Sequence, residues 1–180
     1  MKFVETGFAG LIEIFPQVLS DTRGWFFESY NQDKFRSAGI NTKWIQDNQS
    51  FSSKNVVRGL HFQRTPYAQA KLVRVITGKV LDIVVDLRQD QPTYGKHFKC
   101  VLEAITNNML LVPAGFAHGF AALEDSIFHY KCDNFYHKAS EGGIKWNDPA
   151  LHIDWEVENP VVSEKDQMLP DFDSVVNTLN

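Results

Sequence analysis

Residues Val56 to Gln63 read Val-Val-Arg-Gly-Leu-His-Phe-Gln, and this stretch predicts a strand with polar side chains among apolar neighbours. Such groups are costly to bury unless they have a partner or a task. Strand alternation sends residues three apart to opposite faces, so a regular strand would separate Arg58 from His61. Gly59 lies between them, and a glycine inside a strand often marks a bulge that re-aims a side chain. We expect both side chains to point into one cavity; the alternative is an edge strand with a solvated arginine and a half-buried histidine.

The composition is that of a single globular domain, which we draw over residues 1–180. A chain of 180 residues can bury its own core, and its 43% hydrophobic and 22% charged fractions are ordinary for a soluble protein. Fourteen phenylalanines and four tryptophans suggest an aromatic-lined interior or pocket. The net charge of −4 argues against a nucleic-acid partner or an anionic membrane surface.

The cysteines and the N-terminus carry no sign of secretion or of membrane insertion. Cys100 and Cys132 make neither a disulfide framework nor the spacing of a metal site. Glu13 and Pro16 interrupt the one apolar run near the N-terminus, and no stretch approaches the roughly 20 apolar residues of a membrane span. We therefore expect a cytoplasmic protein.

Many short strand-like runs, separated by turns about every 8–12 residues, predict an all-β sandwich or barrel. The predicted strands cover residues 3–15, 25–30, 43–51, 56–63, 71–76, 80–87, 97–104, 109–113, 118–123 and 126–132. Short helices are predicted at 31–38, at the start 163–166 and at 171–179. Asn31 is the expected N-cap of the first helix, and Gly39 is expected to end it.

The clearest predicted hairpin runs from Lys71 to Arg88, with its turn at Thr77-Gly78. On the return strand, the odd positions form an apolar face of Leu81, Ile83, Val85 and Leu87. The even positions form a mixed face of Asp82, Val84, Asp86 and Arg88. The mixed face suits the wall of a polar cavity.

The segment from Pro113 to His118 matches the second-motif pattern P-x-G-x-x-H of cupin barrels. Metal-binding cupins also carry two clustered histidines and a glutamate in their first motif, and here that region holds only His61. Zinc, iron and similar ions normally need three or four protein ligands. We therefore expect no metal site, and a metal-dependent cupin enzyme is the disfavoured alternative.

A metal-free cavity could hold a base, an electrophile and an acid, and each candidate also has a structural explanation. His61 is the natural base because the ordinary pKa of histidine lies near neutrality. Lys71 could enter the lumen or end a strand in solvent. Tyr130 could deliver a proton or be a core tyrosine with a satisfied hydroxyl. Asp166 also fits a capping box that begins at Ser163.

The chain resembles the dTDP-4-dehydrorhamnose 3,5-epimerase family over nearly the whole length of the chain. Nine segments carry this resemblance, in the order in which they follow one another. They are Asp21-x-Arg-Gly-Trp-Phe, Gln46-Asp-Asn, Arg58-Gly-Leu-His-Phe-Gln, Gln69-Ala-Lys-Leu-Val-Arg, Gly78-x-Val-x-Asp-x-Val-Val-Asp-Leu-Arg, Pro113-x-Gly-Phe-Ala-His-Gly-Phe, Tyr130-Lys-Cys, Trp146-Asn-Asp-Pro and Ser163-Glu-Lys-Asp. The resemblance implies a cupin-type jelly-roll β-barrel with short flanking helices, a homodimer, and neither metal nor cofactor. It also implies an early step of deoxysugar synthesis, typically that of dTDP-L-rhamnose.

The same resemblance implies a role for each matching residue. His61 would remove the proton next to the 4-keto group of the sugar, and Asp166 would orient and charge-stabilise His61. Lys71 would stabilise the enolate oxygen, and Tyr130 would reprotonate from the opposite face. The residues implied to line the sugar and phosphate region are Arg58 and His118. Those implied to contact the nucleotide or diphosphate are Arg23, Phe26, Glu28, Gln46, Asn48, Tyr136, Lys145 and Trp146. The resemblance also implies that some residues of the first strand reach into the neighbouring subunit's site.

One position departs from the family pattern. Where we expect Gln-Asp-Asn-His-Ser, the chain reads Gln46-Asp-Asn-Gln49-Ser50, so a histidine near the nucleotide side is missing. This affects the assignment of the nucleotide base rather than the chemistry. An epimerase acting only at C3 or only at C5, and a non-catalytic nucleotide-sugar binder, remain as alternatives.

Overall fold

The computed structural model describes residues 1–178 and consists mainly of strands. The strands are β1 (Lys2–Glu5), β2 (Ile12–Phe15), β3 (Leu19–Asp21), β4 (Gly24–Phe26), β5 (Gln46–Ser52), β6 (Val56–Gln63), β7 (Lys71–Thr77), β8 (Lys79–Asp86), β9 (His97–Glu103), β10 (Met109–Val112), β11 (Phe116–Ala122), β12 (Ser126–Cys132), β13 (Glu141–Gly143) and β14 (Val161–Val162). The helices are α1 (Gln32–Ser37), α2 (Glu164–Gln167) and α3 (Phe172–Val176), with 3₁₀ turns at Lys138–Ser140 and Pro149–Leu151.

Two mainly antiparallel sheets form the body of the protein. The first sheet has the strand order β1-β2-β10-β7-β12-β5. The second has the order β13-β6-β11-β8-β9, with β14 added in parallel beside β6. β3 and β4 form a hairpin of their own. This arrangement confirms the predicted jelly-roll class with short flanking helices.

The predicted hairpin from Lys71 to Arg88 is wrong in its pairing, although both of its strands exist. β7 pairs with β10 and β12, whereas β8 pairs with β9 and β11, so the two strands belong to opposite sheets. Gly78 joins them with φ +79°, and a Cβ there would lie 2.2 Å from the carbonyl oxygen of Asp125. Glycine therefore lets the chain turn a corner between the sheets instead of folding back within one.

The two faces predicted for β8 are present and have different surroundings. The apolar face packs outward against the C-terminal part of the chain, in a cluster that includes Ile144, Leu151, Trp155 and Val175. Val80 and Val84, on the mixed face, join the apolar cluster between the two sheets. Asp82 shares that face and is 0% exposed. The mixed face therefore points between the two sheets, but none of its residues lines the cavity described below, so the predicted cavity wall is wrong for this strand.

The short elements agree only in part with the sequence prediction. The Asn31 side chain caps α1 by accepting from the backbone N–H groups of Asp33 and Lys34, as predicted. The strand predicted at 25–30 ends at Phe26, and the one predicted from residue 43 begins at Gln46. The predicted end of the last helix, at residue 179, lies outside the described residues. No helix in the described part of the chain is both long and apolar enough to span a membrane.

Candidate active site

A cavity of about 610 Å³ is lined by residues from both sheets. The first sheet contributes side chains of β5, β7 and β12, and the second contributes side chains of β6 and β11. Residues of β13, of α2 and of the loops before β7, after β12 and before α2 complete the lining. The lining residues are Gln46, Asn48, Gln49, Ser50, Arg58, His61, Phe62, Gln63, Gln69, Lys71, His118, Gly119, Phe120, Phe128, Tyr130, Tyr136, Glu141, Ser163, Lys165 and Asp166.

A bulge at Gly59 brings Arg58 and His61 to the same cavity, as the sequence predicted. In the register of β6 and β11, His61 lies opposite His118 and Arg58 lies opposite Phe120, so β6 carries one extra residue. Gly59 has φ +129°, and a Cβ there would lie 2.6 Å from the neighbouring strand's backbone. Only glycine fits this close approach, so Gly59 determines where the bulge forms. The bulge in turn directs the side chains of Arg58 and His61 to the same cavity.

His61 and Asp166 form a hydrogen-bonded pair on the wall of the cavity. His61 Nε2 lies 2.7 Å from Asp166 Oδ1, and the backbone N–H of Gly59 donates to Asp166 Oδ2 at 3.2 Å. Burial raises the pKa of Asp166, but the hydrogen bond and charge of His61 and the Gly59 N–H outweigh it, so the pKa lies below its ordinary value. Asp166 is therefore ionised at neutral pH, and His61 Nδ1 is the ring nitrogen left for a substrate.

The predicted capping box explains the backbone hydrogen bond of Asp166 but not the position of its carboxylate. Ser163 Oγ accepts from the backbone N–H of Asp166 at 3.1 Å, as in a capping box. The Asp166 carboxylate, however, turns to His61 instead of returning to the cap. The same residue thus helps to begin α2 and completes the pair in the cavity.

Lys71 and Tyr130 lie on the first sheet, across the cavity from His61. They come from the neighbouring strands β7 and β12, and Lys71 Nζ lies 6.0 Å from the centre of the Tyr130 ring. Burial lowers the pKa of Lys71, although the charges of Cys132 and Asp82 oppose the shift. Burial also raises the pKa of Tyr130, so its phenol keeps its proton at neutral pH. A base on one wall therefore faces a proton donor and a cation on the other.

Arg58 and His118 complete the second-sheet wall. Arg58 Nε donates to Ser52 Oγ at 2.9 Å, and its Nη2 donates to the Phe51 carbonyl oxygen at 3.0 Å. These bonds hold the guanidinium beside the cavity. His118 Nε2 lies 2.9 and 3.1 Å from the two carboxylate oxygens of Asp82.

Three of the predicted nucleotide contacts also lie in the cavity. Gln46 Nε2 donates to Asn48 Oδ1 at 3.0 Å, and both side chains come from β5. Gln46 Oε1 accepts from the backbone N–H of Tyr136 at 3.2 Å, which ties the loop after β12 to this wall. The tie brings Tyr136 into the lining.

Five other predicted contacts do not line this cavity within one chain. Arg23 and Phe26 lie on the exposed β3–β4 hairpin, where Arg23 pairs with Asp21. Glu28 forms an ion pair with Lys34 of α1. The remaining two, Lys145 and Trp146, follow β13; the Trp146 ring packs against Trp155 and its carbonyl accepts from the Trp155 indole N–H.

The sequence interpretation missed several lining residues, of which Glu141 and Lys165 carry charge. The Glu141 carboxylate accepts two hydrogen bonds, one from Lys165 Nζ at 2.6 Å and one from the Tyr136 hydroxyl at 3.1 Å. Burial raises the pKa of Glu141, but these two hydrogen bonds outweigh it and lower the pKa. The sequence could have predicted Lys165, because it directly precedes the candidate Asp166. It offered no sign of Glu141, because only the pairing of β13 with β6 brings Glu141 near His61.

The described residues contain no cluster of three or more His, Cys, Asp or Glu side chains placed to hold a metal ion. His61 and His118 lie opposite each other in the register, but each bonds to a carboxylate of its own. The fold and the cavity therefore define a cupin-type jelly-roll barrel whose polar site consists of histidine–carboxylate pairs, a lysine and a tyrosine.

Comparison with known proteins narrows this class to one family. The family model for dTDP-4-dehydrorhamnose 3,5-epimerase matches residues 5–174. A relative of that name from Shigella flexneri is 46% identical, covering 92% of this chain and 93% of its own. The crystal structure of a similarly named protein from Elizabethkingia anophelis has 47% identity and a TM-score of 0.92, covering 97% of each chain. A second crystal structure of a protein of that name, from Bacillus anthracis with TDP and PPi bound, has 42% identity and a TM-score of 0.93. The match covers 95% of this chain and 99% of that one. The chain belongs to the dTDP-4-dehydrorhamnose 3,5-epimerase family.

Proposed function

We propose that this protein epimerises C3 and C5 of dTDP-4-dehydro-6-deoxy-D-glucose and so forms dTDP-4-dehydro-L-rhamnose for dTDP-L-rhamnose synthesis. Membership of the family supports the reaction and its substrate. The observation that carries the proposal is the arrangement of His61 and Asp166 on one wall, with Lys71 and Tyr130 on the other. Inversion of a carbon centre needs a base on one face and a proton donor on the opposite face.

The first step is removal of a proton from the carbon next to the 4-keto group. His61 accepts this proton on Nδ1, because its Nε2 is engaged by Asp166. The Asp166 carboxylate holds the ring in place and stabilises the imidazolium that forms. Positioned general bases typically contribute about 10²–10⁴-fold to a rate, so a second source of catalysis is needed for such a weak carbon acid.

Lys71 supplies that second source. As the proton leaves, negative charge develops on the keto oxygen, and an ammonium in a water-poor cavity stabilises it strongly. Burial lowers the pKa of Lys71, so holding the proton is costly until an anion forms beside it. The enolate is that anion, and the stabilisation is therefore greatest where the barrier lies.

Tyr130 ends the cycle by donating its phenolic proton to the same carbon from the other wall. The electron pair of the enolate carbon–carbon double bond forms the new carbon–hydrogen bond on the face opposite His61, and a lone pair of the enolate oxygen restores the carbonyl. The tyrosinate then recovers a proton from solvent, and the imidazolium of His61 loses one. The raised pKa of Tyr130 suits this role, because the residue starts protonated and gives up its proton readily to a carbanion.

The diphosphate is bound by local cations despite the net negative charge of the protein. Arg58 has two hydrogen bonds that fix its guanidinium beside the cavity, and guanidinium groups match phosphate oxygens well. Lys165 is held by Glu141 in the same lining and can exchange that partner for a phosphate. The amides of Gln46 and Asn48 offer hydrogen bonds to the nucleoside.

We also infer that the protein is a homodimer in which each β3–β4 hairpin completes the partner's cavity. Trp25 and Phe26 on this hairpin are 62% and 65% exposed, which is costly for a monomer. β5 carries two of the predicted nucleotide contacts and is an edge strand of the first sheet. Edge strands are normally covered or paired. A hairpin from a second copy laid along β5 would bring Arg23 to the cavity.

Mixing two inactive variants tests this inference. We expect Arg23→Glu and His61→Asn to be nearly inactive alone and to regain activity when they are refolded together, because one site of each mixed dimer is then intact. Equal inactivity before and after mixing, with mixed dimers shown by native mass spectrometry, would place Arg23 and His61 in one chain's site. A monomer in sedimentation velocity would refute the dimer itself.

The reaction is tested by NMR of dTDP-4-dehydro-6-deoxy-D-glucose with the protein in D₂O. Loss of both the C3 and C5 proton signals, with appearance of the L-rhamno product, is the expected result. Exchange at one carbon alone would make the protein a C3-only or C5-only epimerase. Tight dTDP binding without exchange at either carbon would reduce it to a nucleotide-sugar binder.

A further inference from the structure

We propose that His137 is a positioning residue that holds Tyr136 in place for the nucleoside of the substrate. This inference rests on the proposed function, because Tyr136 is a predicted nucleotide contact that lines the cavity. The side chain of His137 is not among the described residues that line the cavity. His137 therefore acts on a ligand only through its neighbour in the chain.

The loop that follows β12 crosses between the two sheets at the cavity. The backbone N–H of Tyr136 donates to Gln46 Oε1 of the first sheet at 3.2 Å. The backbone N–H of His137 donates to Gln63 Oε1 of the second sheet at 3.1 Å. Both glutamines line the cavity. Two consecutive backbone groups are thus held by opposite walls, and Tyr136 enters the cavity at this crossing.

The ring of His137 is fixed on its face and on its edge. Its face stacks on the ring of Tyr67, with ring centres 4.0 Å apart and planes inclined by 7°. Its edge contacts Ser140, where Nδ1 lies 3.0 Å from Oγ. Tyr67 is held in turn, because its backbone N–H donates to the carbonyl oxygen of Arg64 at 2.9 Å. A ring that is held in two directions also fixes the backbone that carries it.

The loop has an anchor at each end and exposed aromatic side chains between them. At its start, the carbonyl oxygen of Asn134 accepts from Gln69 Nε2 at 2.7 Å. His137 is the anchor at its other end. Between the two anchors, Phe135 is 61% exposed and Tyr136 is 52% exposed. Segments with few buried apolar contacts open easily, so the anchors determine how well this loop is ordered.

The order of the loop affects binding of the nucleoside in particular. The Tyr136 hydroxyl donates to Glu141, so the face of its ring is what remains for a ligand. A ring face stacks on a nucleobase, whereas a phosphate has no such surface. The apparent affinity falls with the fraction of molecules whose loop is in the binding position. His61, Lys71, Tyr130 and Asp166 lie on strands or on α2, so a loosened loop leaves the chemical step intact.

The test compares His137→Ala, which removes the stack and the contact with Ser140, with His137→Tyr, which keeps an aromatic face for Tyr67. Loss of a stack between rings predicts that His137→Ala raises KM roughly 3- to 10-fold and changes kcat by less than about twofold. His137→Tyr should recover most of the affinity. The substitution Lys138→Ala, at the exposed next residue, is the matched control and should behave like the wild type.

Two ligands separate the positioning of Tyr136 from a general loosening of the protein. In calorimetry, His137→Ala should bind dTDP more weakly by the same factor, whereas inorganic pyrophosphate, which lacks the nucleoside, should bind as it does to the wild type. Tyr67→Leu should reproduce this pattern. Adding Tyr67→Leu to His137→Ala should weaken dTDP binding no further, because both changes remove the same stack.

Cleavage by chymotrypsin reports on the loop independently of catalysis. This protease cuts after aromatic residues, and Phe135 and Tyr136 are both exposed. His137→Ala should be cut at this loop faster than the wild type, and Lys138→Ala at the wild-type rate. If the wild type shows no exchange in D₂O, the proposed reaction fails, while cleavage and dTDP binding still report on His137 separately.

Three results would overturn the inference. They are an unchanged dTDP affinity in His137→Ala, an equal weakening of dTDP and pyrophosphate, and a fall in kcat with KM unchanged. If His137→Ala does not fold, Tyr67→Leu and the more conservative Tyr67→Phe decide in the same way. Tyr67→Phe keeps the stack and should bind dTDP like the wild type, whereas Tyr67→Leu should not.

Discussion

The cavity contains two histidine–carboxylate pairs whose surroundings differ. In the first, His61 and Asp166 are 2.7 Å apart, and the histidine side chain is 33% exposed. In the second, His118 and Asp82 are 2.9 Å apart, and the histidine side chain is only 8% exposed. A proton must enter and leave a base, so the open pair suits proton transfer. The two Asp82 oxygens hold the ring of His118 in one orientation, so the closed pair suits binding.

The two carboxylates also differ in what else they contact. Asp166 accepts from the backbone of Gly59 and lies next to the cation of Lys165. These contacts add to the hydrogen bond and charge of His61, which contribute most to lowering the pKa of Asp166 against the effect of burial. Among the described residues, Asp82 has its hydrogen bonds with His118 alone, and its charge also opposes the burial that lowers the pKa of Lys71. The same residue types thus make an open pair in one place and a closed pair in the other.

The largest effect is expected from removing the open pair's base. His61→Asn should lower the rates of proton exchange at both C3 and C5 by about 10²–10⁴-fold, while dTDP binding measured by calorimetry changes little. The exposed His152→Asn provides a matched control. Exchange at a near wild-type rate in His61→Asn would assign the base to another residue and break the comparison.

Lys71→Met is expected to have the second-largest effect, because methionine removes the cation and keeps most of the side-chain volume. Loss of stabilisation at the developing oxyanion predicts a fall in kcat of about 10²–10³-fold. Since burial lowers the pKa of Lys71, wild-type activity should decline with rising pH below the ordinary lysine value of about 10.4.

The alkaline decline should disappear in Lys71→Met and persist in the exposed Lys96→Met. An unchanged alkaline limb in Lys71→Met would show that a different group titrates there. Tyr130 would then be the next group to examine, because its pKa is raised by burial.

A smaller and more selective effect is expected from Tyr130→Phe. The base and the cation remain, so the enolate still forms, but His61 returns the proton to its original face. In D₂O, the substrate should therefore gain deuterium faster than it changes configuration. A wild-type ratio of exchange to inversion would remove Tyr130 from the proton transfer, and Tyr136 would be tested next. Equal losses of both would make Tyr130 a binding residue.

The smallest effect is expected from chelation. Each histidine of the cavity is directed at its own carboxylate, so exhaustive EDTA treatment should leave kcat/KM unchanged. Activity is measured before and after treatment, and after addition of single divalent metals. Loss of activity that one metal restores would mean that His61 and His118 act together as ligands, which would replace the two-pair comparison by a single metal centre.

Features that depend on a few neighbouring residues could be predicted from the sequence. The strand periods of β6, β7 and β8, the Asn31 cap and the bulge at Gly59 all follow from local alternation and from the special backbone range of glycine. The ordered motifs also identified the family and nominated His61, Lys71, Tyr130 and Asp166, all of which lie in the cavity.

Pairing between distant segments was decided only by the tertiary structure. Residues 71–88 alternate in the same way whether β7 and β8 share a sheet or divide between two, and the corner at Gly78 is stabilised by contacts with residues far along the chain. Asp166 reaches His61 across 105 positions, and Asp82 reaches His118 across 36. Local patterns determine which face a side chain takes, whereas burial and charge compensation between remote strands determine which partner it finds there.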